Sequence, residues 1–226
     1  MGAKGANFHL ARESGMSTLH PDILNDAQRA SLPAIGKWAS DEGFYLGGGT
    51  AVALYFGHRR SVDFDWFTPD KIEDPIVLAE RARESGLRLR DVQVAPSTLH
   101  GLVEEVRVSF FEYPYPQIAD FTAMPDHGIA LASLDDLACM KLAAIAQRGS
   151  RKDFIDFYVI ALRHRPLKDA IELYRRKYSI EDVAHLLVGL TYFDDADDEP
   201  MPVMLSDVSW DEVKRLFREW AKALAG

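Results

Sequence analysis

Apolar and polar residues along the chain follow two different periods, and the period changes near residue 132. Before that point, short strand-like segments alternate with helical ones. Strands are predicted at 44–46, 61–67, 87–94, 102–113 and 129–131. Helices in this part are predicted at 21–42, 50–56 and 75–85. A proline inside a helix removes a backbone donor, so Pro33 is expected to kink or interrupt the first of these helices.

From residue 133 onward, apolar residues recur at helical spacing. Helices are predicted at 133–147, 152–162 and 166–178, with two more beginning near 179–182 and 209–212. An acidic run at 193–202 lacks the spaced ligands and glycine of a calcium loop, so a solvated loop is predicted there. The pattern as a whole indicates an α+β protein, with a mixed α/β part over 20–131 and an all-helical part over 133–226.

Composition limits the class of protein further. The chain has 226 residues, of which 47% are hydrophobic, enough for one large domain or two small ones that share an interface. It contains no apolar run long enough to cross a membrane, and residues 1–17 lack the apolar segment of a secretory signal, so a flexible leader is expected. The single cysteine, Cys139, lies in an apolar helical pattern, which favours a buried thiol and a cytoplasmic location. A net charge of −9 argues against general coating of nucleic acid but allows a local basic cleft.

The first candidate for chemistry is a run of three glycines followed by two spaced acids, within 44–67. Side chains alternate along a strand, so Asp63 and Asp65 share one face and repel each other unless a cation lies between them. A glycine-rich helix start lets phosphate oxygens approach backbone N–H groups, here at Gly48 and Gly49, and Thr50 adds a hydroxyl. The glycines alone match neither a P-loop nor a dinucleotide motif. Together with the acids, they predict a nucleoside triphosphate held beside Mg²⁺ or Mn²⁺ at Asp63 and Asp65.

The second candidate is a charged group on the first two helices of the C-terminal part. Lys141 and Arg148 are seven residues apart and share a helix face, while Asp153 and Asp156 can face back from the next helix. An ion pair that only joins the two helices would explain this pattern equally well. Beside a nucleotide site, we expect Lys141 to bind the triphosphate and Asp153 or Asp156 to orient Lys141 or the attacking hydroxyl.

Both groups of residues together resemble the AbiEii/AbiGii toxin-type nucleotidyltransferases of the DNA polymerase beta-like superfamily. The resemblance rests on residues 48–51, 57–65, Lys141, Arg148 and 152–156. It implies a minimal nucleotidyltransferase fold, a mixed sheet flanked by helices, followed by a C-terminal helical bundle that completes the active site. It also implies transfer of a nucleotide from a nucleoside triphosphate to an RNA acceptor, with tRNA the expected one, and a cognate antitoxin as partner.

The resemblance also assigns roles to individual residues. Metal binding falls to Asp63 and Asp65. The catalytic set is Asp63, Asp65, Lys141, Asp153 and Asp156. The nucleotide-binding set is Gly48, Gly49, Thr50, Arg60, Ser61, Lys141 and Arg148.

One departure from the superfamily concerns its third carboxylate, which a neighbouring strand should supply. On the predicted strand 102–113, one face carries Glu105, Arg107, Ser109 and Phe111, with Glu105 near its start, while Glu112 has the opposite parity. Either the second charged group replaces this acid, or activity is weak or absent. Two further hypotheses stay open, a nucleotide-binding protein without transferase activity and a phosphotransferase acting on a protein hydroxyl.

Overall fold

A computed structural model of the protein describes residues 19–124 and 127–225, so the predicted leader at 1–17 lies outside the described residues. The strands form one seven-stranded mixed sheet in the order β3-β4-β5-β2-β1-β7-β6. They are β1 (Tyr45–Leu46), β2 (Asp63–Thr68), β3 (Leu89–Ala95), β4 (Thr98–Val103), β5 (Val106–Glu112), β6 (Thr122–Met124) and β7 (Ile129–Leu131). Strand β6 is an element that the sequence pattern does not reveal.

Helices flank the sheet and then continue alone to the C-terminus, which confirms the predicted α+β class. They are α1 (Asp26–Asp41), α2 (Gly48–Phe56), α3 (Pro75–Glu84), α4 (Leu134–Gln147), α5 (Arg151–Arg163), α6 (Leu167–Tyr178), α7 (Ala184–Gly189), α8 (Asp194–Asp198) and α9 (Trp210–Ala225). Within the described ranges, no helix combines the length and apolarity that a membrane crossing needs.

The predicted strand over 102–113 is confirmed over β5, but its start is wrong, because two strands meet there in a hairpin. β4 ends at Val103 and β5 begins at Val106, and the two pair antiparallel through Val103 and Val106. Glu104 adopts a left-handed conformation with φ of 53° in the turn between them. Glu105 therefore lies in an exposed turn and is not a residue of the sheet face.

The first helix and the acidic run also differ from prediction. Helix α1 begins only at Asp26, where Asn25 forms a capping box with Gln28, and a short 3-10 turn precedes it. The helix runs through Pro33 without interruption, because the residues around Pro33 bury their side chains in the core. The acidic run predicted as a loop contains the short helix α8, whose Asp197 accepts hydrogen bonds from Trp210 Nε1 and Lys214 Nζ.

Burial alternates strictly along β2, with Phe64 and Trp66 in the core and Asp63 and Asp65 on the other face. Strand β2 pairs antiparallel with β1 and parallel with β5. The apolar core extends from the sheet into the C-terminal helices and includes Cys139, which is buried as predicted. Burial raises the pKa of this thiol to about 12. The division of the chain at residue 132 into two domains stays a prediction.

Candidate active site

A cavity of about 740 Å³ lies between the start of α2, strands β2 and β5, helices α4 and α6, and residues 201–203. Its walls carry five cationic side chains and two carboxylates. They are Arg59, Arg60, Lys141, Arg148 and Lys152, with Asp63 and Asp65. The chain as a whole carries a net charge of −9, so this cavity is a local concentration of positive charge in an acidic protein.

Two glycines let charged groups approach the first turn of α2. Gly48 has φ of +63°, and a Cβ added there would lie 2.3 Å from Oδ2 of Asp65. A Cβ at Gly49 would lie 2.4 Å from Nη2 of Arg59. Both glycines line the cavity. The first N–H groups of a helix have no intrahelical partners, so this turn offers donors to an anion in the cavity.

Asp63 and Asp65 face the cavity from β2, as their spacing predicts. Oδ1 of Asp63 is buried and has no hydrogen-bond partner. Burial raises the pKa of Asp65, and Lys141 opposes this shift while Asp63 adds to it. A carboxylate oxygen that is buried beside a second acid without a partner is suited to a cation.

These residues fit a divalent metal that takes few ligands from the protein. In the part of the chain that the structure describes, no group of three or more His, Cys, Asp or Glu side chains is arranged to hold a metal ion. Mg²⁺ characteristically keeps several waters and binds through one or two carboxylates together with substrate phosphates. Asp63 and Asp65 match that pattern, and the helix start beside them matches the phosphates.

Lys141 reaches the same cavity from α4 and is held by both acids of α5. Its Nζ lies 3.0 Å from Oδ1 of Asp153 and 2.6 Å from Oδ2 of Asp156. Burial alone would lower the pKa of Lys141, but the two carboxylates outweigh burial and raise it. The ammonium group is therefore charged and fixed at the cavity wall. The expected position of Asp153 and Asp156 beside Lys141 is confirmed.

The two acids of α5 are fully engaged and do not line the cavity. Asp153 also accepts hydrogen bonds from Arg148 Nε at 2.9 Å and from Ser150 Oγ at 2.8 Å. Both carboxylates are buried. Burial by itself would raise the pKa of Asp153, but Lys141 and Arg148 lower it to about 2. Neither acid lies where it could contact an acceptor hydroxyl, so the alternative that one of them orients Lys141 agrees with the geometry.

Sequence reasoning missed Arg59 and His58 as members of this network. Arg59 binds Asp156 through two nitrogens on one edge of its guanidinium, Nε to Oδ1 at 2.7 Å and Nη2 to Oδ2 at 2.8 Å. His58 Nε2 lies 2.8 Å from Oδ1 of the same carboxylate. Burial alone would raise the pKa of Asp156, but Arg59 and Lys141 hold it well below its usual value. The basic run 58–60 is visible in the sequence, but its buried partner lies almost a hundred residues away.

One predicted nucleotide-binding residue lies elsewhere than expected, and the neighbouring strand β5 differs from the superfamily pattern. Thr50 is buried, and its hydroxyl donates to the backbone carbonyl of Asp63, so it joins α2 to β2 and does not line the cavity. On β5, the residue beside Asp65 is Ser109, which contacts His100 Nδ1 at 3.0 Å. Glu112 is bound elsewhere, by the backbone N–H of Ile72. Strand β5 therefore supplies no third carboxylate to this face.

Comparison with solved structures assigns the fold. JHP933 from Helicobacter pylori matches with a TM-score of 0.55 at 18% sequence identity, covering 91% of this chain and 93% of that one. The nucleotidyltransferase toxin MenT4 from Mycobacterium tuberculosis matches with a TM-score of 0.52 at 15% identity, covering 88% and 86%. The protein has the fold of these structures, which confirms the predicted minimal nucleotidyltransferase fold with a helical C-terminal part.

Sequence comparison then assigns the family. The model of the AbiEii nucleotidyl transferase toxin family, a type IV toxin–antitoxin system, matches residues 100–224. An uncharacterized protein of Aquifex aeolicus is 36% identical over 203 residues, which are 88% of this chain and 96% of that protein. The chain belongs to the AbiEii nucleotidyltransferase toxin family, and it is a nucleotidyltransferase.

Proposed function

We propose that this toxin transfers a nucleotide from a nucleoside triphosphate to an RNA acceptor, with tRNA the first candidate, in a reaction that requires Mg²⁺ or Mn²⁺. The observation that carries the proposal is one cavity that combines Asp63, whose buried Oδ1 has no hydrogen-bond partner, with five cationic side chains. A site of this composition suits a polyphosphate with a divalent cation better than it suits a neutral ligand. The family's toxin class supports a cognate antitoxin as the partner.

Each part of the site has a separate task in this proposal. Asp63 and Asp65 hold the metal, which when bound neutralises phosphate charge and orients the leaving pyrophosphate. The N–H groups of Gly48 and Gly49, with Ser61 beside them, contact phosphate oxygens. Lys141 is the fixed cation that faces the phosphates.

Three further cations complete the phosphate end. Arg60, Arg148 and Lys152 line its rim. Arg148 already donates to Asp153 through Nε and Nη2. Only its remaining N–H donors are therefore available to the ligand.

The reaction then depends on positioning more than on covalent participation by the protein. An acceptor hydroxyl oxygen forms a bond to the α-phosphorus, and the hydroxyl proton passes to solvent. The bond from that phosphorus to the oxygen that bridges to the β-phosphorus breaks, releasing pyrophosphate. Asp153 and Asp156 act as positioning residues, since both hold Lys141. This geometry makes electrostatic stabilisation of the phosphates the main contribution of the chain.

The direct test is incubation of the purified protein with each α-labelled ribonucleoside triphosphate, Mg²⁺ and total tRNA. We expect label in the RNA fraction, loss of labelling with EDTA, and loss of labelling in Asp63→Ala. Labelling that survives Asp63→Ala would contradict the assigned metal ligands.

The acceptor class needs its own controls. Parallel reactions with ribosomal RNA, single-stranded DNA and a protein extract show whether RNA is the preferred acceptor. Mass spectrometry of the product separates addition of a nucleotide from addition of a phosphate. A phosphorylated protein with unlabelled RNA would replace this proposal by the phosphotransferase alternative.

A further inference from the structure

The cavity also has a wall that the phosphate chemistry does not use. This wall is aromatic, formed by Phe67 and Phe111 from the sheet, Tyr113 and Tyr115 after β5, and Tyr178 at the end of α6. Tyr115 is 39% exposed, and the other four rings are partly exposed. Aromatic rings that are left open to a cavity rather than packed into the core mark a surface for a ligand.

These rings form one continuous row. Phe67 stacks on Phe111 with centroids 5.1 Å apart and meets Tyr113 edge-on at 5.4 Å. Tyr115 then meets Tyr113 at 4.9 Å and Tyr178 at 4.7 Å. Tyr45 on β1 also stacks on Phe67, at 6.0 Å, so both faces of Phe67 are covered by its neighbours. The row therefore holds its members in fixed orientations and leaves Tyr115 as its most exposed ring.

Hydrogen bonding within the row further limits how a ligand can be recognised. The hydroxyls of Tyr113 and Tyr178 bond to each other. Burial raises the pKa of both, so both stay protonated at neutral pH. With these polar ends occupied, the exposed ring of Tyr115 is the main surface that the row offers to a ligand.

The row continues directly from the predicted metal site. Phe67 follows Asp65 by two residues on the same strand face, a separation of about 7 Å along β2. On the opposite wall, Met140 precedes Lys141 on α4, and both line the cavity. A molecule with phosphates at the cationic end would therefore extend its remaining part along the aromatic row.

We propose that this aromatic row binds the base of the incoming nucleoside triphosphate by stacking, with Tyr115 as the most accessible ring. The inference rests on the proposed function, because it assigns the second half of the same substrate. Every base has a π-face, so stacking suits a nucleotide, and it contributes about tenfold in affinity or more per base. The acceptor's terminal base is the competing occupant, and the continuity with the phosphate end favours the donor nucleotide.

The test compares two ligands that share the phosphates and differ in the base. Calorimetry with Mg²⁺ present measures binding of a ribonucleoside triphosphate and of inorganic tripolyphosphate to the full-length protein. We expect the nucleotide to bind about tenfold more tightly than tripolyphosphate. In Tyr115→Ala, the affinity for the nucleotide should fall by about that factor, while the affinity for tripolyphosphate stays unchanged.

Two control variants separate the ring from other effects. Tyr115→Phe keeps the ring and should keep the preference for the nucleotide. Tyr192 is 49% exposed and lies away from the cavity, so Tyr192→Ala should change neither affinity. Thermal denaturation of each variant confirms that folding is intact.

The remaining outcomes separate this inference from the function on which it rests. If tripolyphosphate binds as tightly as the nucleotide, the base site is wrong and the phosphate site stands. If Tyr115→Ala leaves nucleotide affinity unchanged but raises KM for RNA, the row holds the acceptor and the inference is overturned. If the wild-type protein binds neither ligand and labels no acceptor, the proposed function fails, and the inference fails with it.

Discussion

Two pairs of aspartates lie on either side of the same cavity, and they are built in opposite ways. Asp63 and Asp65 face the cavity from β2, and one buried oxygen of Asp63 has no partner. Asp153 and Asp156 are buried on α5, where cationic side chains engage both carboxylates. Among the described residues, no salt bridge joins a cation directly to the first pair, whereas several cations are paired with the second.

The pKa directions show the same difference. Burial raises the pKa of Asp65, because the loss of water and the neighbouring Asp63 outweigh the opposing charges of Lys141, Lys152 and Arg148. Burial acts in the same direction on Asp156, but Arg59 and Lys141 outweigh it and hold that pKa well below its usual value. The residue type is identical, so the partners decide whether an aspartate is available for a ligand or serves to hold the fold.

The largest expected effect is on catalysis and comes from the pair that faces the cavity, Asp63 and Asp65. Asp63→Asn keeps the shape of the side chain but removes a metal-binding oxygen, so we expect a loss of about a thousandfold in kcat/KM. The free energy of unfolding should stay the same or rise, because the variant removes repulsion between two neighbouring acids. Label transfer and urea denaturation measure the two quantities. A large loss of stability in Asp63→Asn would show that the pair facing the cavity also stabilises the fold.

The buried pair, Asp153 and Asp156, should affect stability more than the pair that faces the cavity does. Asp156→Asn leaves Arg59 and Lys141 with less compensating charge in a buried site, so we expect a loss of about 3–5 kcal/mol in the free energy of unfolding. Asp41 is a matched control, since its pair with Lys37 is exposed, and Asp41→Asn should cost less than about 1 kcal/mol. Urea denaturation compares the three proteins. Equally small losses of stability in Asp156→Asn and Asp41→Asn would contradict a stabilising role for the buried pair.

A smaller effect should appear in the dependence of stability on pH. The pKa of Asp153 is lowered from 3.8 to about 2 in the folded protein. The charged form of this carboxylate therefore stabilises the folded state. The resulting stabilisation of about 2 kcal/mol is present above the unfolded pKa and is lost as pH falls toward the folded pKa. The difference in stability between wild type and Asp153→Asn should therefore shrink from about pH 5 to about pH 2. A difference that stays constant over this range would contradict the lowered pKa.

Local periodicity explains what the sequence could reveal about the site. The period of two along β2 is sufficient to place Asp63 and Asp65 on one face, and helical spacing is sufficient to bring Lys141 and Arg148 to the same carboxylate. Most helices and strands follow from the same short-range patterns. Asp153 is then within reach because α4 and α5 are consecutive.

Long-range packing explains what the sequence could not reveal. The pairing of Arg59 with Asp156 joins positions 97 residues apart, and no local pattern indicates it. The hairpin at Glu104 is hidden because its turn interrupts an apolar alternation that otherwise reads as one strand. Thr50 has the residue type of a phosphate ligand, but its rotation on α2 turns the hydroxyl toward the backbone of β2.

The smallest expected effect on stability and activity comes from removing the Thr50 hydroxyl. Thr50→Val keeps the volume of the side chain but removes the donor to the partly buried carbonyl of Asp63, which should cost about 1–3 kcal/mol of stability. Because the same hydrogen bond fixes the strand that presents Asp63, we also expect a loss of activity of about tenfold or less. Thr50→Ser restores the hydroxyl and should recover most of both quantities. Thr50→Val could instead keep full stability and lose only nucleotide affinity. That result would show that the hydroxyl contacts the ligand, as the sequence alone predicts, and that Thr50 belongs to the nucleotide site.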